Sequence, residues 1–293
     1  MNAVSHRRGR QFSLSPVEGE RAGVRRNFDQ NCGSWKNYPL LIAAWERVLF
    51  FHFLFPPDLI RPEVPPDFDL DLYEGEACVS LIALTMRHFR PCRTLSIAGL
   101  CRLIRTQRFL NLRTYVRCDG EPGAFFFHGW LSQPFGLGLP SRALGLSYTF
   151  GLLDYQHDPK KGLLEGVVRE RNSPEQFKYR AFIDPGINAE FCPPGSLAEF
   201  ALERYTGFFS WKGSPFAFRA WHPPWKQVQI SPTIRDHNLV TRRFPWFGEG
   251  RLVSAHFAPG FEDVWLGRVH RVQQGSGRLL PKPGSRSALF EMP

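Results

Sequence analysis

Arg113 and Tyr115 stand two residues apart in the run Asn111-Leu112-Arg113-Thr114-Tyr115-Val116-Arg117. The run alternates cleanly. A strand would place Leu112, Thr114 and Val116 on one face and Arg113, Tyr115 and Arg117 on the other. A guanidinium fork beside a phenol suits a carboxylate or phosphate ligand. The same guanidinium could instead pair with an acid such as Glu76, Asp154 or Glu203. Arg142 and Tyr148 repeat the combination on the next segment. Arg204 falls on the apolar face of a predicted helix. A buried guanidinium needs partners, so Arg204 either anchors that helix or points into a site. His222 could act as a general base, but Pro223-Pro224 would hold it in an extended turn. Lys160-Lys161 has the form of an amine activated by a neighbouring cation. Its flanks, Asp158-Pro159 and Gly162, make it a hairpin tip where lysines stay solvated.

The elements that must position these groups are mostly strands. Asn111–Arg117, the turn residues Asp119-Gly120 and Pro122-Gly123, and Ala124–Leu131 predict a hairpin. Other predicted strands are Ala77–Ala83, Leu164–Arg169, Phe177–Ile183, Phe216–Trp221, Val228–Ile230 and Leu252–Phe257. Ser196 with Glu199 three residues on is a capping box. Leu197, Phe200, Ala201, Arg204, Tyr205 and Phe208 continue it at helical spacing, with Gly207 as the stop. A second helix is expected from about Leu40 to Phe53, ended by Pro56-Pro57. Many short strands and two helices predict a mainly antiparallel barrel or sandwich, without the alternation of a doubly wound fold.

Composition agrees. The 293 residues include 26 Gly and 25 Pro, which argues against long helices, and 27 Phe and 8 Trp, which argues against disorder. Net charge is +10, but residues 1–35 and 266–293 carry +3 and +4 of it, so the chain between them is nearly balanced. The basic ends could attract phosphates; the plainer reading is solvated tails, and nucleic acid is not expected as a partner. Residues 1–35 and 273–293 read as disordered, and residues 36–272 as one domain. The six cysteines show no zinc spacing, so free thiols in a reducing compartment, no metal and a cytoplasmic location are expected. No signal peptide or spanning run is visible, because Trp45-Glu46-Arg47 and His52 interrupt the most apolar stretch. P-loop, dinucleotide, GxSxG and HExxH patterns are missing, and no cofactor is implied. Trp211, Trp221 and Trp225 with Phe216 and Phe218 could stack bases, but without interleaved cations they read as core.

Eight pieces in order then carry a resemblance. They are Trp45 with Leu49-Phe50-Phe51-His52, Val64-Pro65-Pro66, Asp71 with Gly75-Glu76-Ala77, Asn111–Val116, Pro122–Phe126, Ala143–Tyr148, Gly195-Ser196-Leu197 with Phe200 and Glu203-Arg204-Tyr205, and His222-Pro223-Pro224-Trp225. Over residues 36–270 the chain resembles the bacterial YqjF-like proteins, a domain of unknown function similar in fold to acetoacetate decarboxylase. The resemblance implies a closed, cone-like antiparallel β-barrel with helices outside and a pocket within. If the face bearing Arg113 and Tyr115 points inward, Arg113, Tyr115, Arg142 and Tyr148 would converge on a small anionic or carbonyl-bearing ligand. The decarboxylase's paired lysines would fall at Ser141-Arg142 and its proton-handling glutamate near Phe109. Arginine cannot form an imine, so Schiff-base decarboxylation is not expected. Ligand binding without catalysis and a lyase or isomerase working without an imine both stay open, as does a homo-oligomer.

Overall fold

The computed structural model describes residues 39–91, 106–133 and 147–272. Residues 1–35 and 273–293, Arg142 and Cys32, Cys92 and Cys101 lie outside them. The strands in chain order are β1 (Pro39–Phe55), β2 (Asp69–Leu70), β3 (Leu72–Tyr73), β4 (Glu76–Pro91), β5 (Thr106–Cys118), β6 (Glu121–Leu131), β7 (Tyr148–Asp158), β8 (Leu163–Glu170), β9 (Gln176–Phe182), β10 (Glu190–Phe191), β11 (Thr206–Trp211), β12 (Ser214–Trp221), β13 (Lys226–Ile230), β14 (Thr233–Asp236), β15 (Arg251–Gly267) and β16 (His270–Arg271). Three short helices interrupt them: α1 (Pro57–Ile60), α2 (Leu197–Leu202) and α3 (Asn238–Arg243). Among the described residues, no helix is long and apolar enough to cross a membrane.

The fold is mostly β. Strand pairings run from β1 through β4, β5, β6, β11, β12 and β15 and return to β1, so the hydrogen-bonded neighbours form a ring. Two of the pairings of β6, those with β11 and β7, are parallel. Beyond β7 the sheet continues through β8 and β9 to β14. The predicted hairpin is β5–β6. Its turn residues Asp119 and Gly120 both have positive φ, 49° and 79°, the geometry that two-residue hairpin loops require.

The segment expected to be a helix over Leu40–Phe53 is instead β1, a strand of 17 residues. Pairing on both edges, with β4 and β15, and burial of every residue from Val48 to Phe55 explain the difference. A strand buried on both faces has no period of two to read, and a continuous apolar run does not separate strand from helix. Half of the capping box of α2 forms: Ser196 Oγ accepts from the Glu199 N–H at 3.2 Å, while Glu199 Oε2 accepts from Gly195 N–H at 2.7 Å, one residue before the N-cap. The helix stops at Leu202, however, rather than at Gly207, because Thr206–Trp211 joins the ring as β11. Phe208 therefore belongs to a strand.

Each face of the ring strands carries a core. Leu49, Phe51, Val79, Leu81, Leu110 and Leu112 share one with Trp130, Phe177 and Tyr179. Phe50, Leu54, Cys78, Ile82 and Tyr115 share the other with Ala201 and Leu202 of α2 and with Trp225. Trp225 is core, as expected. Trp211 is not: it sits at the β11–β12 turn, 45% exposed, with the Lys212 amine over its ring.

Gly260 of β15 lies close to the backbone of β1. Its φ is +100°, and a Cβ there would lie 1.8 Å from the Trp45 carbonyl oxygen. Gly260→Ala should therefore cost about 3 kcal/mol or more, since backbone strain and a backbone clash add. A urea midpoint within error of wild type would show that the approach is not tight.

Candidate functional site

One cross-strand row differs from its surroundings. The register sets Ser254 of β15 opposite His52 of β1, His52 opposite Ser80 of β4, and Ser80 opposite Arg113 of β5. Four polar residues thus cross four adjacent strands on the face otherwise filled by Phe50, Leu54, Cys78 and Ile82. His256 stands on the same face of β15, opposite Phe50. Tyr115 stands two residues beyond Arg113.

These side chains are bonded in series. Ser80 Oγ lies 2.7 Å from Tyr115 Oη and 2.7 Å from His52 Nδ1. His52, Ser80 and Tyr115 are fully buried. The Arg113 guanidinium stands beside the phenol ring, with its Cζ 5.5 Å from the ring centre. A second guanidinium, that of Arg204, is 5.4 Å from the same ring. The rings of His52 and His256 are 5.2 Å apart, and His256 Nε2 lies 3.2 Å from Ser254 Oγ.

Burial sets the protonation states. Desolvation pushes the His52 imidazole well below its ordinary range, with His256 and Arg113 adding to the shift. Desolvation lowers His256 to about 4. Both are neutral at pH 7. Burial also raises the Tyr115 phenol, opposed by Arg113, and pushes the Cys78 thiol up to about 12. No cysteine thiolate is expected at this face.

The polar atoms of this face that are buried without a hydrogen-bond partner among the described residues include His52 Nε2, His256 Nδ1, Arg113 Nε and Asn111 Oδ1. Asn111 shares the Arg113 face and lies opposite Ile82. Buried polar atoms are nearly always paired, so such orphans on one face call for something that supplies donors and acceptors.

Of the residues singled out from sequence, Arg113 and Tyr115 belong to this patch. Arg113 takes none of the acids considered for it: its Nη2 donates to the Ala201 carbonyl at 3.0 Å. Glu76 pairs with Arg251, and Glu203 accepts from the Tyr205 hydroxyl and the Trp225 N–H. Arg204 borders the patch but anchors α2, with Asp71 at 2.7 Å. Arg117 reaches the other oxygen of Asp71 at the partly exposed end of the face. His222 lies near enough for Arg113 to depress its pKa, after burial, to about 4. Its Nδ1 donates to the Pro223 carbonyl, and its ring is stacked on Phe261. Tyr148 begins β7 with its ring packed over Gly129, where a Cβ would lie 2.4 Å from it and 3.3 Å from Asn111 Oδ1, so Tyr148 sits at the Asn111 end of this face. Arg142 lies outside the described residues. Lys160 and Lys161 sit at the β7–β8 turn, as expected. None of the five described lysines, at 160, 161, 178, 212 and 226, is buried.

His52, Ser80, Ser254 and His256 were not singled out as site residues. The available signal was a lone polar residue inside an apolar strand, as in Phe51-His52-Phe53 and Val79-Ser80-Leu81. Only the register shows that these lone residues line up.

Residues 42–262 match the DUF2071 family, described as an uncharacterized conserved protein. The chain belongs to the DUF2071 family. This DUF2071 chain is 25% identical over 223 residues to the uncharacterized protein YqjF of Bacillus subtilis, covering 74% of this chain and 87% of YqjF. Among solved structures it is similar to the enduracididine biosynthesis enzyme MppR complexed with pyruvate (14% identity, 82% of this chain and 93% of that one, TM-score 0.57). It is also similar to acetoacetate decarboxylase from Legionella pneumophila (14% identity, 90% and 98%, TM-score 0.54). At these identities the likeness establishes the acetoacetate decarboxylase-like fold. The YqjF-like resemblance drawn from the eight sequence pieces is thus correct.

Proposed function

We propose that this DUF2071 protein binds a small carbonyl- or carboxylate-bearing organic molecule against the His52, Ser80, Arg113 and His256 patch, inside the ring of strands closed as a barrel. The observation that carries the reading is the set of unpartnered buried polar atoms on this face. Its charge favours an anion. Arg113 has a carbonyl partner and no carboxylate, and the neighbouring Asp71 already faces two guanidiniums. The histidines add donors and acceptors without charge. A fold neighbour that holds pyruvate is consistent with a ligand of this size. The absence of a buried lysine among the described residues supports binding without an imine.

The test is calorimetric titration of the full chain with pyruvate and 2-oxobutyrate at pH 7.5. Arg113→Ala should weaken binding roughly 10- to 100-fold, the range of a charge-assisted hydrogen bond. Equal affinity in wild type and variant, or no binding of either acid to wild type, would refute the site.

A further inference from the structure

Taking the ligand site just proposed as its basis, we infer that the patch is an acid–base pair that enolises a bound ketone, with His256 as base, His52 as acid and the Ser80–Tyr115 chain as the proton supply. The direction of the chain follows from charge. The Arg113 guanidinium, its Cζ 5.5 Å from the Tyr115 ring centre, favours negative charge on the phenol, so Tyr115 is the end that gives its proton to Ser80. Ser80 in turn gives its proton to His52 Nδ1, which leaves the second proton of the neutral ring on Nε2. That Nε2–H is one of the unpartnered buried groups. It ends a polarised series that begins at a cation, and such series strengthen their last donor.

His256 completes the pair. When its Nε2–H is given to Ser254 Oγ, 3.2 Å away, Nδ1 carries a lone pair, and Nδ1 is also unpartnered. The two rings are in contact, so a donor and an acceptor are presented to one small molecule. Both rings are kept neutral by burial, as a donor–acceptor pair requires.

The step balances as follows. His256 Nδ1 removes a proton from the carbon next to the ketone. The C–H electron pair forms the C=C bond, and the carbonyl π pair takes the proton from His52 Nε2. His52 Nδ1 regains a proton from Ser80, and Ser80 regains one from Tyr115. The products are the enol, a His256 imidazolium and a Tyr115 phenolate beside Arg113 and Arg204. The reverse sequence restores the ketone, and needs no oxidant, metal or lysine.

The readout is exchange of the pyruvate methyl protons for deuterium in heavy water near neutral pD, followed by proton NMR. Wild type should exchange them faster than buffer alone. In Ser80→Ala, which removes one hydroxyl from a fully buried position, exchange at saturating pyruvate should fall about 10²- to 10⁴-fold, far more than the affinity measured alongside by calorimetry. His256→Gln should lose exchange to the same extent. Binding with no exchange above buffer would overturn the acid–base pair and leave the binding site standing. Exchange unchanged in both variants would overturn it too, as would a borohydride-trapped lysine adduct. If pyruvate does not bind wild type, both readings fall.

Discussion

Acidification from pH 7.5 to pH 4.5 should unfold the described core, with the loss beginning above the carboxylate range. His157, His222 and His256 each have a folded-state pKa lowered to about 4, chiefly by burial. An unfolded histidine titrates near 6.5. Above 6.5 both states are neutral and the stability is fully present. Below 6.5 the unfolded chain binds protons that the native chain refuses, so stability is lost as pH falls toward 4. Each group forfeits about 2–3 kcal/mol by pH 4.5, at 1.36 kcal/mol per unit. Three such losses are comparable with the whole 5–15 kcal/mol of a typical domain. His52 and His128, also lowered by burial, act in the same direction. Thermal melts by circular dichroism at pH 7.5, 6.5, 5.5 and 4.5 should show a steep fall in Tm beginning near 6.5. His222→Phe keeps the aromatic packing against Phe261 and removes one titrating ring, so its transition should move to lower pH. A Tm that is flat down to pH 4.5 would refute the account.

The second large effect is expected at Asp71. Its two oxygens serve Arg204 at 2.7 Å and Arg117 at 2.9 Å. The partners differ in solvent access: the Arg204 side chain is 6% exposed and that of Arg117 49%. Asp71→Ala would leave the Arg204 charge buried against Phe200 and Tyr115 without its counter-ion. Losing one partner of a buried pair costs about 3–5 kcal/mol. Arg117→Ala touches the same carboxylate from the surface and should cost less than about 1 kcal/mol. Replacing both buried partners, Asp71→Leu with Arg204→Met, should recover much of the loss, because neither charge is then stranded. Urea denaturation of the four proteins decides it. Equal destabilisation by Asp71→Ala and Arg117→Ala would mean that Arg204 finds another anion.

Local chemistry made part of this protein legible from residues alone. The β5–β6 hairpin could be read because Asp119-Gly120 fits only a few backbone conformations and the flanking runs alternate. The start of α2 could be read because the Ser196 hydroxyl satisfies the Glu199 N–H in its first turn. The lysine tip at 160–161 and the Arg113–Tyr115 face follow from turn residues and a period of two. Eight ordered pieces were enough to indicate the family. Where both faces of a strand are buried, that period disappears, and β1 read as a helix. The end of α2 was misplaced for a related reason: Phe208 keeps helical spacing but is captured by the edge of β6. The polar row lay further out of reach. Ser254, His52, Ser80 and Arg113 are separated by tens of residues or more, and each alone looks like an ordinary interruption of an apolar strand. Cross-strand register, set by backbone pairing over the whole sheet, brings them into line, and burial of that line makes its histidines neutral and leaves their nitrogens unpaired.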